Sequence, residues 1–117
     1  MEYKISESEY RFLCILWDAE PIESPELVKL CLDKLGWKKS TTYTVIKNLS
    51  EKDIVRNENM IVTTLVGRDE VNRQESRNFL EKNFKGDVVD LFATFLKDRK
   101  LTQEEAKAIK KMIEGAK

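Results

Sequence analysis

Apolar residues recur at three- and four-residue intervals along most of this chain, and the interval shortens to two in one stretch near the middle. From Glu7 to Ala19, the positions Tyr10, Leu13, Cys14, Leu16 and Trp17 predict the buried face of a first helix. Ser6 followed by Glu9 has the spacing of a capping box, in which the serine oxygen takes one free amide and the glutamate reaches back to another. Glu20, Pro21 and Ile22 end this helix, with Ile22 in a short extended segment. Ser24 then reads as a cap and Pro25 as the first position of a second helix, where a missing amide costs nothing. Leu27, Val28, Cys31, Leu32 and Leu35 form its apolar face, and Gly36 stands where a left-handed cap is wanted.

Trp37 leads into a third helix over Ser40 to Lys52, capped by Ser40 or Thr41. Thr42, Val45, Ile46 and Leu49 make its buried stripe, which leaves Thr41, Tyr43, Thr44, Lys47 and Asn48 facing out. Two short helices at a turn, the second with a polar outer face, form a helix-turn-helix. After Lys52 the period changes. Ile54 to Arg56 read as a strand, Asn57-Glu58-Asn59 as a turn, and Met60 to Val66 as a second, β-branched strand. A hairpin placed directly after a helix-turn-helix is a wing.

Beyond Gly67 the pattern is wholly helical. Asp69 to Phe84 carries Val71, Phe79, Leu80 and Phe84 among many charges. Asp87 to Asp98 is short and strongly apolar, and Thr102 with Glu105 makes a second capping box ahead of Ala106, Ile109, Met112 and Ile113. The expected fold is mainly α with a small β-hairpin wing: a winged helix-turn-helix over residues 1–66, then a three-helix region over 67–117. A helical region this small rarely draws more than about 3–5 kcal/mol from its own core. Phe79, Phe84, Val88, Leu91, Phe92, Phe95, Ile109 and Ile113 are therefore expected to meet a second copy of the chain. The alternative is that these helices fold back on the first module and the chain is a monomer.

Charge sharpens one part of this picture. Charged residues are 36% of the chain and cancel to a net charge of zero, which excludes a bulk polycation or a polybasic membrane binder. The window Lys34 to Ser50 nevertheless contains no acid and four lysines: Lys34, Lys38, Lys39 and Lys47. A phosphate backbone would be tolerated there and in few other places. No apolar run is long enough to span a bilayer, and MEYKISESEY lacks a signal-peptide core, so a cytoplasmic location without a membrane partner is expected. With no histidine and two cysteines, Cys14 and Cys31, a four-ligand zinc site is out of reach; no metal or cofactor is expected, and both cysteines read as small buried hydrophobes. The scattered glycines form no phosphate cradle, and acid pairs such as Glu104-Glu105 fall in first helical turns, where they serve the helix dipole. An enzyme is not expected.

The order of parts resembles the penicillinase-repressor family. The residues that carry the likeness are ISESEYRFLCILW, ELVKLCL, TTYTVIKNLSEKDIV and NFLEKNFKGDVVDLFATFLKDRKLTQEEAKAIKKMIE, which together cover nearly the whole chain. The resemblance implies a homodimeric transcriptional repressor that binds a palindromic operator in double-stranded DNA through one winged helix per subunit. Carried over by position, the recognition helix is Ser40 to Lys52, with Lys39, Ser40, Thr41, Tyr43, Thr44 and Lys47 facing DNA; by their chemistry, Thr41, Tyr43, Thr44 and Lys47 are expected to read bases, and Lys38, Lys39, Ser40 and Arg56 to hold phosphates. Hydroxyls and lysines near a helix N-terminus suit both tasks. The chain departs from the family pattern at four places. Asp53 stands where glycine is usual, and Asn57-Glu58-Asn59-Met60 replaces a Gly-Arg wing. Thr94-Phe95 replaces the Asn-Phe bond cut in antibiotic-response members, and the Cys-x-Cys pairs of copper-responsive members are missing. The resemblance names no inducing signal, upstream sensor or protease for this chain. Two other readings compete: a winged-helix protein-interaction module, favoured by the slight excess of acids over bases in residues 1–60, and a small-molecule sensor, for which no residue set stands out.

Overall fold

A computed structural model describes residues 2–115. In chain order the elements are α1 (Glu7–Ala19), β1 (Ile22–Glu23), α2 (Ser24–Leu35), α3 (Lys39–Glu51), β2 (Val55–Glu58), β3 (Ile61–Thr64), α4 (Arg68–Phe84), α5 (Val88–Asp98) and α6 (Gln103–Gly115). The strands form one antiparallel sheet in the order β1-β3-β2. The fold is thus mainly helical with a small sheet, as the sequence pattern predicts. Two compact units divide within α4, at Met1–Glu75 and Ser76–Lys117. The expected division lay at Gly67; the first two turns of α4 belong with the first unit because Val71 and Gln74 are buried there.

The first unit is built on α1. Its capping box forms as the spacing predicts: the Ser6 hydroxyl accepts from the Glu9 amide at 3.1 Å, and Glu9 Oε1 accepts from the Ser6 amide at 2.9 Å. The buried face differs from the predicted one. Phe12, Leu13, Ile15 and Leu16 are buried, whereas Tyr10, Cys14 and Trp17 sit at its margin. Each marginal side chain has a polar atom to satisfy, and two of them meet α4 or its approach: Tyr10 donates to Asn72, and the Trp17 indole donates to the Val66 carbonyl. Arg68 lies over the Trp17 ring at 5.5 Å and pairs with Asp18 at 2.7 Å. Gln74, fully enclosed, exchanges two 2.6 Å hydrogen bonds with the Tyr3 backbone, one to the amide and one to the carbonyl.

In α2 only Ser24, Leu27 and Cys31 are buried, and Leu32, expected in the core, is 60% exposed. Ser24 does not cap the helix; Glu23 precedes it without a side-chain bond, and the Ser24 amide donates instead to the Met60 carbonyl at the hairpin. Cys31 is buried as expected, and burial pushes its thiol pKa up, against a smaller opposing effect of the Thr42 hydroxyl. Gly36 takes the left-handed conformation at φ 69°, and the Trp37 amide then reaches the Cys31 carbonyl, turning the Trp37 ring onto Phe12 in a stack 6.1 Å apart.

The hairpin turn falls later than the sequence suggested, because the first strand continues through Glu58. Val55–Glu58 pairs with Ile61–Thr64, and Asn59 and Met60 form a two-residue loop, both with positive φ. Ile22, predicted only as extended, supplies with Glu23 a third strand against Val62 and Ile61. Glu20 secures that seam: its carboxylate accepts from both the amide and the hydroxyl of Thr64 at 2.7 Å.

In the second unit no side chain of α5 or α6 is buried. Asp87 caps α5 by accepting from the Asp90 amide, and the Thr102–Glu105 capping box forms ahead of α6, with Arg99 donating to Glu105 at 2.7 Å. Val89, Met112 and Ile113 are each exposed by well over half. Among the described residues no helix is long and apolar enough to cross a membrane.

Phe12→Ala should lower the stability of the first unit by about 3–5 kcal/mol, because the cavity would open at the centre of the core. Leu32→Ala should change it by no more than about 0.5 kcal/mol. Urea titrations followed by far-UV circular dichroism check both, and equal costs would mean that α2 packs through the face the sequence suggested.

Candidate nucleic-acid interface

Helix α3 begins at Lys39, one residue before the predicted start, and its N-cap is Lys38, which makes no side-chain capping bond. This corrects the expected cap at Ser40 or Thr41. Both hydroxyls instead stand inside the exposed first turn. The first helical bond runs from the Thr42 amide to the Lys38 carbonyl at 3.1 Å. The amides of Lys39, Ser40 and Thr41 therefore point out of the helix end, with its positive dipole and no acid in the turn.

The inner stripe of α3 is Thr42, Ile46 and Leu49, with Val45 half-buried beside it. This fixes which way the rest of the helix faces. Ser40, Thr41, Thr44, Lys47 and Asn48 are all exposed and recur at three- and four-residue steps, so they form one ridge. Lys38 and Lys39 stand exposed at its start, and neither they nor Lys47 has an ion-pair partner among the described residues.

Two of the predicted site residues lie elsewhere. Tyr43 is half-buried against the core, with its hydroxyl donating to Ser24 at 3.4 Å. Arg56 is on β2, exposed, 3.9 Å from the Glu58 carboxylate. Asn48 was not among the predicted site residues, yet it continues the ridge four residues after Thr44, a spacing already readable in the sequence. The wing carries its own acids: Glu23 and Glu58 both pair across the sheet with Ile61, so the three side chains share one face.

The C-terminal end of α3 is closed by a Schellman motif. The Ile54 amide donates to the Leu49 carbonyl at 3.0 Å and the Asp53 amide to Ser50 at 3.1 Å, with Asp53 left-handed at φ 58°. That backbone explains why glycine suits this position, and aspartate is among the side chains that tolerate it. Outside this turn, Lys52 Nζ donates to the Lys4 carbonyl at 2.7 Å and to the two Glu9 carboxylate oxygens at 2.9 and 3.1 Å. Burial pushes the Glu9 carboxyl pKa up, but the Ser6 amide and the Lys52 ammonium outweigh it and hold it below the usual glutamate value.

A helix-turn-helix with a three-stranded wing, presenting an acid-free ridge of hydroxyls, amide and lysine, is the apparatus of a winged-helix DNA-binding transcriptional regulator. The family profile "Penicillinase repressor" matches residues 5–115, and the chain belongs to that family. Its relatives include the "Methicillin resistance regulatory protein MecI" of Staphylococcus aureus (strain Mu50 / ATCC 700699), 24% identical over 115 residues, which span 95% of this chain and 94% of that protein. Another is the "Penicillinase repressor" of Staphylococcus aureus, 22% identical over 116 residues, or 96% of this chain and 92% of that one. Among solved structures, a MarR/EmrR family transcriptional regulator from Acinetobacter sp. ADP1 superposes with a TM-score of 0.50 at 15% identity, over 96% of this chain and 72% of that chain. At this identity the likeness speaks for the fold.

Because the Glu9 carboxyl is depressed in the folded chain, its contribution to stability is complete above the unfolded glutamate value and is lost as pH falls through the lower folded value. Thermal melts should therefore show stability falling as pH drops below the ordinary glutamate range, with a shallower fall in Glu9→Gln. An identical pH profile for the two proteins would mean that Glu9 is not held as described.

Proposed function

We propose that this chain is a repressor that binds a palindromic operator as a homodimer, laying α3 of each subunit in the major groove. The observation that carries the reading is the α3 ridge itself: exposed, free of acid from its first turn to Asn48, and opening on unpaired amides. Thr41, Thr44, Lys47 and Asn48 face the base edges, where an amide such as Asn48 suits adenine and a lysine suits guanine. Lys38, Lys39 and Ser40 hold phosphates with the helix end. Tyr43 sets the ridge from behind, and Arg56 reaches phosphate only by leaving Glu58. The acids on the wing support α3 as the main contact.

Dimerisation through the second unit is supported by its lack of a core. Phe92, Phe95 and Leu96 of α5 and Met112 and Ile113 of α6 are exposed, far more apolar area than so small a unit leaves bare when it works alone. The names of the relatives suggest control of genes for resistance to an antibiotic. A winged-helix module that binds protein instead is the competing reading, favoured by the Glu23–Ile61–Glu58 face of the wing.

Fluorescence anisotropy with duplex DNA from upstream of the chain's own gene, against unrelated competitor, tests the proposal. Specific binding should survive competitor and weaken steeply with salt. Thr44→Val and Lys47→Ala should each cost about 1–3 kcal/mol of specific affinity while leaving the melting temperature nearly unchanged. Lys39→Ala should reduce the salt slope by about two per dimer. Binding no stronger than to competitor, across upstream and intergenic DNA, would favour the protein module. For the dimer, sedimentation equilibrium should give twice the chain mass, and Phe92→Glu should give the single mass; a wild-type monomer at micromolar concentration would sink that part of the proposal.

A further inference from the structure

We infer that Glu9 and Lys52 form an interhelical lock whose task is to orient the reading face of α3, and that Lys52, although basic and at the end of the recognition helix, is a positioning residue and not a DNA contact. The inference rests on the DNA-binding reading above and adds to it a residue pair in the body of the unit. Three observations carry it. The Lys52 ammonium meets three acceptor atoms within the fold, the Lys4 carbonyl and both oxygens of Glu9. A phosphate drawing on this ammonium would compete with those bonds. Glu9 is only 8% exposed, so a carboxylate left there without its cation would be stranded out of water.

The third observation is where the lock is attached. Glu9 is already fixed by the Ser6 capping box at the start of α1, and Lys52 is the residue that closes α3, directly before the Asp53–Ile54 turn. The N-terminal end of α3 has no side-chain cap, and its inner stripe is narrow: three residues are fully buried. Packing on three positions resists sliding but resists rotation about the helix axis less well. A rigid polar tie at the far end supplies the missing constraint, and a rotation there carries Thr44, Lys47 and Asn48 across the groove.

Electrostatics and positioning make opposite predictions for one substitution. Glu9→Gln removes a negative charge and should tighten binding to DNA if charge alone matters. If the lock orients α3, the same variant should weaken operator binding about tenfold, the scale of losing one charge-assisted hydrogen bond. Lys52→Gln should weaken it comparably. Neither should change the slope of log affinity against log salt, whereas Lys39→Ala should reduce it. Lys52→Arg, which keeps the cation, should restore most of the affinity.

The measurement is operator anisotropy for these four variants at several salt concentrations, each confirmed folded by circular dichroism at the assay temperature. Hydrogen exchange by mass spectrometry on DNA-free protein should show faster exchange over residues 47–54 in Glu9→Gln and Lys52→Gln. Wild-type binding with Glu9→Gln equal or tighter overturns the inference and leaves the DNA reading intact. So does a Lys52→Gln salt slope that falls as the Lys39→Ala slope does. A wild-type chain that binds no duplex overturns the DNA reading, and this inference falls with it.

Discussion

Everything in the first unit answers to one constraint: α3 must give up a stripe to the core firmly enough to hold its other side steady in water. Thr42, Ile46 and Leu49 are that stripe, and the core they join is supplied by α1 through Phe12, Leu13 and Leu16, by α2 through Leu27 and Cys31, and by the sheet through Val55 and Val62. None of these contributes to recognition. Their effect is to fix a helix whose exposed residues are too few and too small to hold a position by themselves. The uncapped N-terminal turn leaves the first amides of α3 available to an anion.

Polar bonds do the aiming that apolar packing leaves open. The stack of Trp37 on Phe12 and the Lys52–Glu9 pair join α3 and its approach to α1, and the Tyr43–Ser24 bond joins α3 to α2. Likewise β3 is held on one side by β2 and on the other by β1, with the Glu20 carboxylate extending the second seam to Thr64. Hydrophobic burial is non-directional, so it can fix the distance between elements while leaving their rotation loose. Hydrogen bonds fix the rotation.

Much of this was legible in the sequence because it is local. Ser6 with Glu9, Gly36 after Leu35 and Thr102 with Glu105 each bracket an element within a few residues, and the structure uses all three as the spacing predicts. The buried stripe of α3 was legible for the same reason, and with it the ridge opposite. What escaped depends on residues distant in sequence. Phe12 and Ile15 displaced Tyr10 and Trp17 from the centre of the core because these two found polar or cationic neighbours near residues 66 to 72. Tyr43 looked outward by period, but its hydroxyl found Ser24. The hairpin register turned on Asn59 and Met60 adopting positive φ, which asparagine announces and methionine conceals.

The two units solve the problem of burial in opposite ways. Among the described residues, the first has thirteen buried apolar side chains in a single cluster. The second has helices of good local design, with Asp87 and Thr102 capping them and Arg99 bracing the corner between α5 and α6 over Phe95, yet α5 and α6 bury no side chain. Local signals of this quality are not spent on helices meant to unravel. Capping and corner braces set the helices in order, and the apolar faces they leave open call for area from outside the unit. A recognition helix read once contacts few base pairs, whereas two copies held at a fixed separation read two half-sites. The proposed dimer joins these two features: a second copy would cover the bare faces of the second unit, and the narrow ridge of the first would be presented twice.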